Sequence, residues 1–215
     1  MKLGHLSLLR GATPPAEGVG HYPARLDELA SLLHGLPWLL AGGLTVPLTL
    51  GRFYRRHYDV DIAFPVEEFR AVHRAMRRGG YYLSTYFPLS LFGRLRFALS
   101  VPIDPDGWLA RHRPRKLKFR DDTGRRCAPH LLSIVEALPY RVVDGSFTSL
   151  DGRQRIPLDR PLAGHRFTTA SGREITCLDL HYVAVLASQR HHPKHALDLT
   201  VIANHLPGHV SAKSE

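Results

Sequence analysis

Cysteine is scarce in this chain. Only Cys127 and Cys177 occur among 215 residues. They stand far apart and have no close partner at metal-ligand spacing, which argues against a disulfide framework or a structural zinc knuckle. Both are expected as small, buried or half-buried thiols. Long apolar runs are missing too. No stretch approaches the roughly 18–20 residues of a membrane span. The N-terminal apolar patch, MKLGHLSLLR, is short and broken by His5 and Arg10, so it does not read as a signal peptide. The cytoplasm is the expected location, with no membrane partner. Repeats, heptads and low-complexity tracts are absent, which argues against solenoids and coiled coils. Acidic residues are few: 19 Asp and Glu face 29 Lys and Arg, for a formal net charge of +10. That balance favours anionic partners such as nucleotides or nucleic acid. A solvated basic surface fits the same count.

What is present alternates between helical and strand patterns. Residues 1–20, rich in Gly and Pro, read as a loose arm. After Pro23, Leu26, Leu29, Leu32, Leu33 and Leu36 fall at helical spacing, with Gly35 near the end. "PWLLAGG" reads as a buried strand entering a tight turn. Leu44 to about Phe53 is expected as a short helix, with Pro47 tolerated in its first turn. "YDVDIAF" is a strand. Pro65 opens a helix that buries Phe69, Val72 and Met76 on one face and stops at Gly79-Gly80. Its acids sit first and its arginines last, as the helix dipole prefers. "RLRFALSVPI", "RKLKFRDD" and "HLLSIVEAL" follow as strands. From Arg141 to Thr176 come short strands punctuated by "SLDGR" and "ASGRE". Asp179 caps "LHYVAVLASQR", and "KHALDLTVIANHL" after Pro193 is a last helix. The layout is α+β, or mixed α/β, built around a sheet. Residues 1–140 are expected as the core. Residues 141–215 are expected as a β-rich extension and C-terminal helices packed on it.

Two acids in this basic chain stand out. On a strand, Asp59 and Asp61 project to the same face, with Cα atoms about 6.5–7 Å apart. Such carboxylates repel unless a positive charge lies between them. A hard cation such as Mg²⁺ (or Mn²⁺), held by one or two carboxylates plus phosphate oxygens, meets that need, and paired metals suit nucleotidyl transfer. Two solvated acids balancing nearby arginines is the plainer reading. Gly42-Gly43 ends a strand and precedes a helix, where backbone amides can approach a phosphate; a tight turn without a ligand has the same sequence. Arg52, Arg55, Arg56 and His57 lie between the glycines and the acids. They can meet a triphosphate or balance the carboxylates.

Taken together, "AGGLTVPLTLGRFYRRHYDVDIAF…EEFRAVHRAMRRGGYYL" resembles the nucleotidyltransferase superfamily. Within it, the segment looks like the branch of aminoglycoside and lincosamide nucleotidyltransferases and the related toxin-type (AbiEii-like) enzymes. The resemblance implies a mixed sheet flanked by helices, with a small β-rich insert and a C-terminal helical part. It implies Mg²⁺ on Asp59 and Asp61, and an NTP whose phosphates lie on Gly42, Gly43 and Arg55. "RHHPKHALDL" resembles the family's Lys-Asp-x-x-Asp helix, with Lys194 and Asp198 matching and His195 in place of the first aspartate. Lys194 is thereby implied at the phosphates. The acceptor is a hydroxyl, on a small molecule such as an antibiotic or, in the toxin-type branch with its antitoxin partners, on RNA (tRNA included) or protein.

Active members of that superfamily use a third carboxylate on a neighbouring strand, to complete the metal site or to act as general base. "HLLSIVEAL" has no aspartate in its middle; it offers His130, Ser133 and Glu136, and Glu136 is the choice. Asp121 and Asp122 are alternatives, though "DDTG" is turn chemistry. The gap motivates a second reading, a degenerate member that binds nucleotide or RNA without efficient transfer. His181, His191, His192, His195 and His205 cluster near the C-terminus, but Pro193 interrupts the i,i+4 spacing a zinc site would use. The basic segment from Arg111 to Arg120 suits either a polyanion track or a strand with one solvated face.

Overall fold

The computed structural model describes residues 22–55, 57, 59–91, 95–102, 117–121, 134–189 and 193–205. Helix α1 (Tyr22–Leu32) leads into β1 (Leu39–Ala41), a 3-10 turn (Gly42–Leu44) and α2 (Thr45–Leu50). Strand β2 (Val60–Pro65), a second 3-10 turn (Val66–Glu68) and α3 (Phe69–Arg78) follow. The middle contributes β3 (Tyr81–Leu91), β4 (Leu95–Pro102), β5 (Leu117–Asp121) and β6 (Ile134–Val143). Then come β7 (Ser146–Ser149), β8 (Arg155–Pro157), β9 (Ala163–Thr168) and β10 (Glu174–Leu178), and the helices α4 (Leu180–Ser188) and α5 (Pro193–His205). This is the α+β arrangement expected.

The strands form one mixed sheet in the order β4-β3-β5-β6-β2-β1-β10-β9, with β7 and β8 branching from β6. Two pairings are parallel, β2 with β6 and β1 with β10. Strand alternation divides the sheet into two faces. Val60, Ile62, Phe64, Val135, Ala137, Leu117 and Phe119 pack with Leu26, Leu29 and Leu33 of α1 and with Phe69, Val72 and Met76 of α3. Ala41, Ala63 and Leu138 belong to the opposite face, covered by Leu180, Val183 and Leu186 of α4 and Ile202 of α5. The β9–β10 pair joins the sheet beside β1, so residues from the expected extension complete the sheet of the expected core.

Local chemistry accounts for several element ends. Helix α2 stops at Leu50, short of the expected Phe53, because Gly51 takes the left-handed conformation (φ 71°) and closes the turn on Pro47. The β6–β7 hairpin turns on Asp144 and Gly145, both at positive φ, between the paired Val143 and Ser146. That is the Asp-Gly pattern of a tight two-residue turn. Asp179 caps α4 as expected: its Oδ1 accepts from the His181 amide at 2.9 Å.

Candidate active site

One rung of the sheet carries the acidic groups. Asp61 of β2 lies opposite Ala41 of β1 on one side and opposite Glu136 of β6 on the other. Glu136 in turn lies opposite Lys118 of β5, and the Lys118 Nζ sits 3.0 Å from Glu136 Oε1. Asp59 stands just ahead of β2. Because Ala41 ends β1, the glycine turn begins directly beside Asp61.

That turn is built tightly. Gly42 is left-handed (φ 69°), and a Cβ there would lie 2.1 Å from Asp61 Oδ2. The buried Thr45 hydroxyl donates to the Gly42 carbonyl at 2.7 Å and fixes the turn from inside. At Gly43 a Cβ would lie 2.0 Å from Arg55 Nη2 and 2.9 Å from Asp198 Oδ2. Glycine at both positions thus admits a charged side chain where any other residue would displace it.

Gly42, Gly43, Arg55, His57, Asp59, Asp61, Glu136, Lys194, His195 and Asp198 all line one cleft. Leu138 and, from α4, Val183, Leu186 and Ala187 form its apolar wall. The structure therefore brings Gly42, Gly43, Arg55, Asp59, Asp61, Glu136 and Lys194 together in one cleft, whereas Arg52 does not line it. Asp121 instead ends β5 opposite Tyr81, away from the Asp61 rung. Asp122, Arg56, His130, Ser133, His191 and His192 lie outside the described residues, as does the basic segment up to Lys116.

Electrostatics differ sharply within the cleft. His57 is buried, and its imidazole is driven down to about 3, first by burial and then by the Arg55 and Lys194 charges. It is a neutral group at physiological pH. Asp198 of α5 is 1% exposed. Its Oδ1 accepts from Arg55 Nε at 2.6 Å and from the Tyr54 hydroxyl at 2.7 Å, and its Oδ2 accepts from Arg55 Nη2 at 2.7 Å. Burial opposes the Arg55 charge, but Asp198 outweighs it and holds the guanidinium above its ordinary value. Burial and Asp198 likewise push the Tyr54 phenol up. The central place of Asp198 was only half visible in sequence: it matched a motif, but nothing local marks an aspartate on an amphipathic helix as buried.

Among the described residues, no three His, Cys, Asp or Glu side chains are gathered closely enough to hold a metal by themselves. Asp59 and Asp61 both line the cleft, and two carboxylates fit the donor set of a magnesium site that draws its further ligands from substrate and water. None of the described helices is long and apolar enough to cross a membrane.

Comparisons with known proteins agree on the fold. The profile of the aminoglycoside-2''-adenylyltransferase family matches residues 26–97. Among curated protein sequences none matches. The structure of the lincosamide antibiotic adenylyltransferase LnuA, bound to lincomycin, superposes with a TM-score of 0.54 at 14% identity, over 83% of this chain and 94% of that one. The solution structure of the antibiotic-resistance factor ANT(2'')-Ia gives 0.52 at 13% identity, over 87% and 85%. ANT(2'')-Ia in complex with adenylyl-2''-tobramycin gives 0.51 at 12% identity, over 86% and 88%. The chain has the fold of these nucleotidyltransferases and resembles their branch.

Proposed function

We propose that this protein is a nucleotidyltransferase that moves an NMP, AMP in the first instance, from an NTP to a hydroxyl of a small antibiotic-like molecule. The observation that carries this reading is the Asp61–Glu136 rung, with Asp59, Gly42-Gly43 and Lys194 around the same cleft. The family and structural likenesses support the same chemistry. The pairing of Glu136 with Asp61 across the sheet favours Glu136 as the third acid over the degenerate alternative, a member that binds nucleotide or RNA without efficient transfer.

Roles follow from position. Asp59 and Asp61 are the residues that would hold Mg²⁺ or Mn²⁺. When bound, the metal supplies charge stabilisation to the phosphates and the leaving pyrophosphate. The amides of the Gly42-Gly43 turn and the Lys194 ammonium bind and orient the triphosphate. Arg55 lines the same cleft with its guanidinium on Asp198. Glu136 takes the proton of the acceptor hydroxyl as its oxygen bonds to the α-phosphorus and the bond to the β-phosphate oxygen breaks. Lys118 holds Glu136 in place. The apolar wall of Leu138, Val183, Leu186 and Ala187 excludes water from one side.

The acceptor in the names of the neighbours is an antibiotic: lincomycin for one, tobramycin for the other. RNA or protein acceptors and an antitoxin partner gain no support from them. The test is incubation with ATP, GTP, CTP or UTP, Mg²⁺ or Mn²⁺, and panels of aminoglycosides, lincosamides, tRNA and protein. Mass spectrometry would read the gain of one nucleotide. Transfer to a small hydroxylated compound, lost in Asp59→Ala with Asp61→Ala, is the expected result. Transfer that survives the double substitution would sink the assigned site, and transfer only to tRNA or protein would sink the assigned acceptor.

A further inference from the structure

We propose that Arg55 is a positioning residue and not a phosphate ligand: with Asp198 and Tyr54 it clamps α5, and with it Lys194, onto the Gly42-Gly43 turn. The inference rests on the nucleotidyltransferase reading for its consequence, but its geometry stands alone. Asp198 is almost fully buried and accepts three hydrogen bonds, two of them from the Arg55 fork. A bidentate guanidinium–carboxylate pair is among the stronger and more directional polar contacts. Its removal from one side leaves a buried charge without compensation, which costs far more than an exposed pair would.

Three segments meet at this pair. Arg55 and Tyr54 come from the loop before β2, Asp198 from α5, and Gly43 leaves the space into which the two charged groups fit. The same loop reaches α5 a second time near its C-terminal end, where Arg52 donates to the His205 imidazole. The other ring nitrogen, His205 Nδ1, donates to the Val201 carbonyl at 2.9 Å, which leaves Nε2 as the acceptor. Lys194 lies four residues before Asp198, on the same side of the helix. Whatever holds Asp198 therefore sets where the Lys194 ammonium stands in the cleft.

Asp198→Asn separates the two roles, because they give opposite signs. If Arg55 is a clamp, the variant loosens α5 and displaces Lys194. ATP affinity then falls by about tenfold or more, and amide exchange across residues 193–205 speeds up. If Arg55 is a phosphate ligand, the variant releases it toward the anion, so ATP binds as well or better and α5 keeps its protection. Either of those last two results would overturn the proposal. Arg55→Lys is expected to behave like Asp198→Asn, since lysine keeps the charge but loses the fork. Lys194→Ala is expected to weaken ATP without loosening α5. Should Asp198→Asn fail to fold, Tyr54→Phe removes one of the three hydrogen bonds and is expected to give a smaller rise in α5 exchange with the fold intact. Unchanged exchange there would equally overturn the clamp. A wild-type protein that binds no nucleotide would defeat the proposed function, while the exchange measurement still decides the clamp.

Discussion

At the scale of single residues, Gly42 is where the backbone leaves room for the Asp61 carboxylate. Gly42→Ala combines a strained left-handed φ with a Cβ that must push Asp61 aside. Transfer is expected to drop on the order of 100-fold in kcat, the effect of displacing a reacting group by about 1 Å. Steady-state kinetics with whichever acceptor the nucleotide-transfer panel reveals would check it. Cys177 offers a second prediction. Burial pushes its thiol up to about 12, so at pH 8 only about one thiol in ten thousand is ionised. In a Cys127→Ser background, Ellman's reagent is expected to react with the native protein only as fast as it unfolds. Fast labelling under native conditions would contradict the buried placement.

At the scale of elements, the caps and turns have measurable worth. Asp179→Ala removes the α4 cap and is expected to cost about 1 kcal/mol, seen as a lowered thermal midpoint. Asp27 ties α1 to the β9–β10 turn, accepting from the Ser171 hydroxyl at 2.8 Å and its amide at 3.2 Å. Burial raises its pKa, but hydrogen bonds from Thr169 and Ser171 and the Arg173 charge outweigh it and hold the carboxyl below the usual range. A folded value below the unfolded one means stability present above about pH 4 and lost as pH falls through the folded value. The midpoint gap between wild type and Asp27→Asn should therefore shrink between pH 6 and pH 3. Which elements exist was largely legible from the sequence, because periodicity and punctuation are local: the α3 face and the Asp179 cap stand as read. Strand β2, however, runs only from Val60 to Pro65, so Asp59 precedes the strand instead of sharing its face with Asp61, and Pro65 ends the strand instead of opening the helix. Their partners were not. Nothing near Glu136 says that it pairs with Asp61, 75 residues earlier. Nothing near Lys118 says that its ammonium lies on Glu136. Register is decided by which apolar faces fit across the sheet, and that is a long-range outcome.

At the scale of the whole molecule, the sheet interleaves distant parts of the chain. Strand β1 sits between β2 and β10, and β6 carries both β2 and β7. A fragment ending at residue 140 would leave β1 with one bare edge and the cleft without Lys194 and Asp198. It is expected to show no cooperative thermal transition, and circular dichroism against temperature would test this; a sharp transition would mark residues 1–140 as self-sufficient. The parallel β1–β10 pairing has a further consequence, in time. The partner of Ala41's strand is not complete until residue 178 has been synthesised, roughly 7–27 s later at ordinary ribosomal speeds of 5–20 residues per second. Throughout that interval the nascent chain carries a bare strand edge that other chains can capture. Translation speed between residues 41 and 178 thus becomes a determinant of soluble yield, and the cleft is not complete until Asp198 has been made.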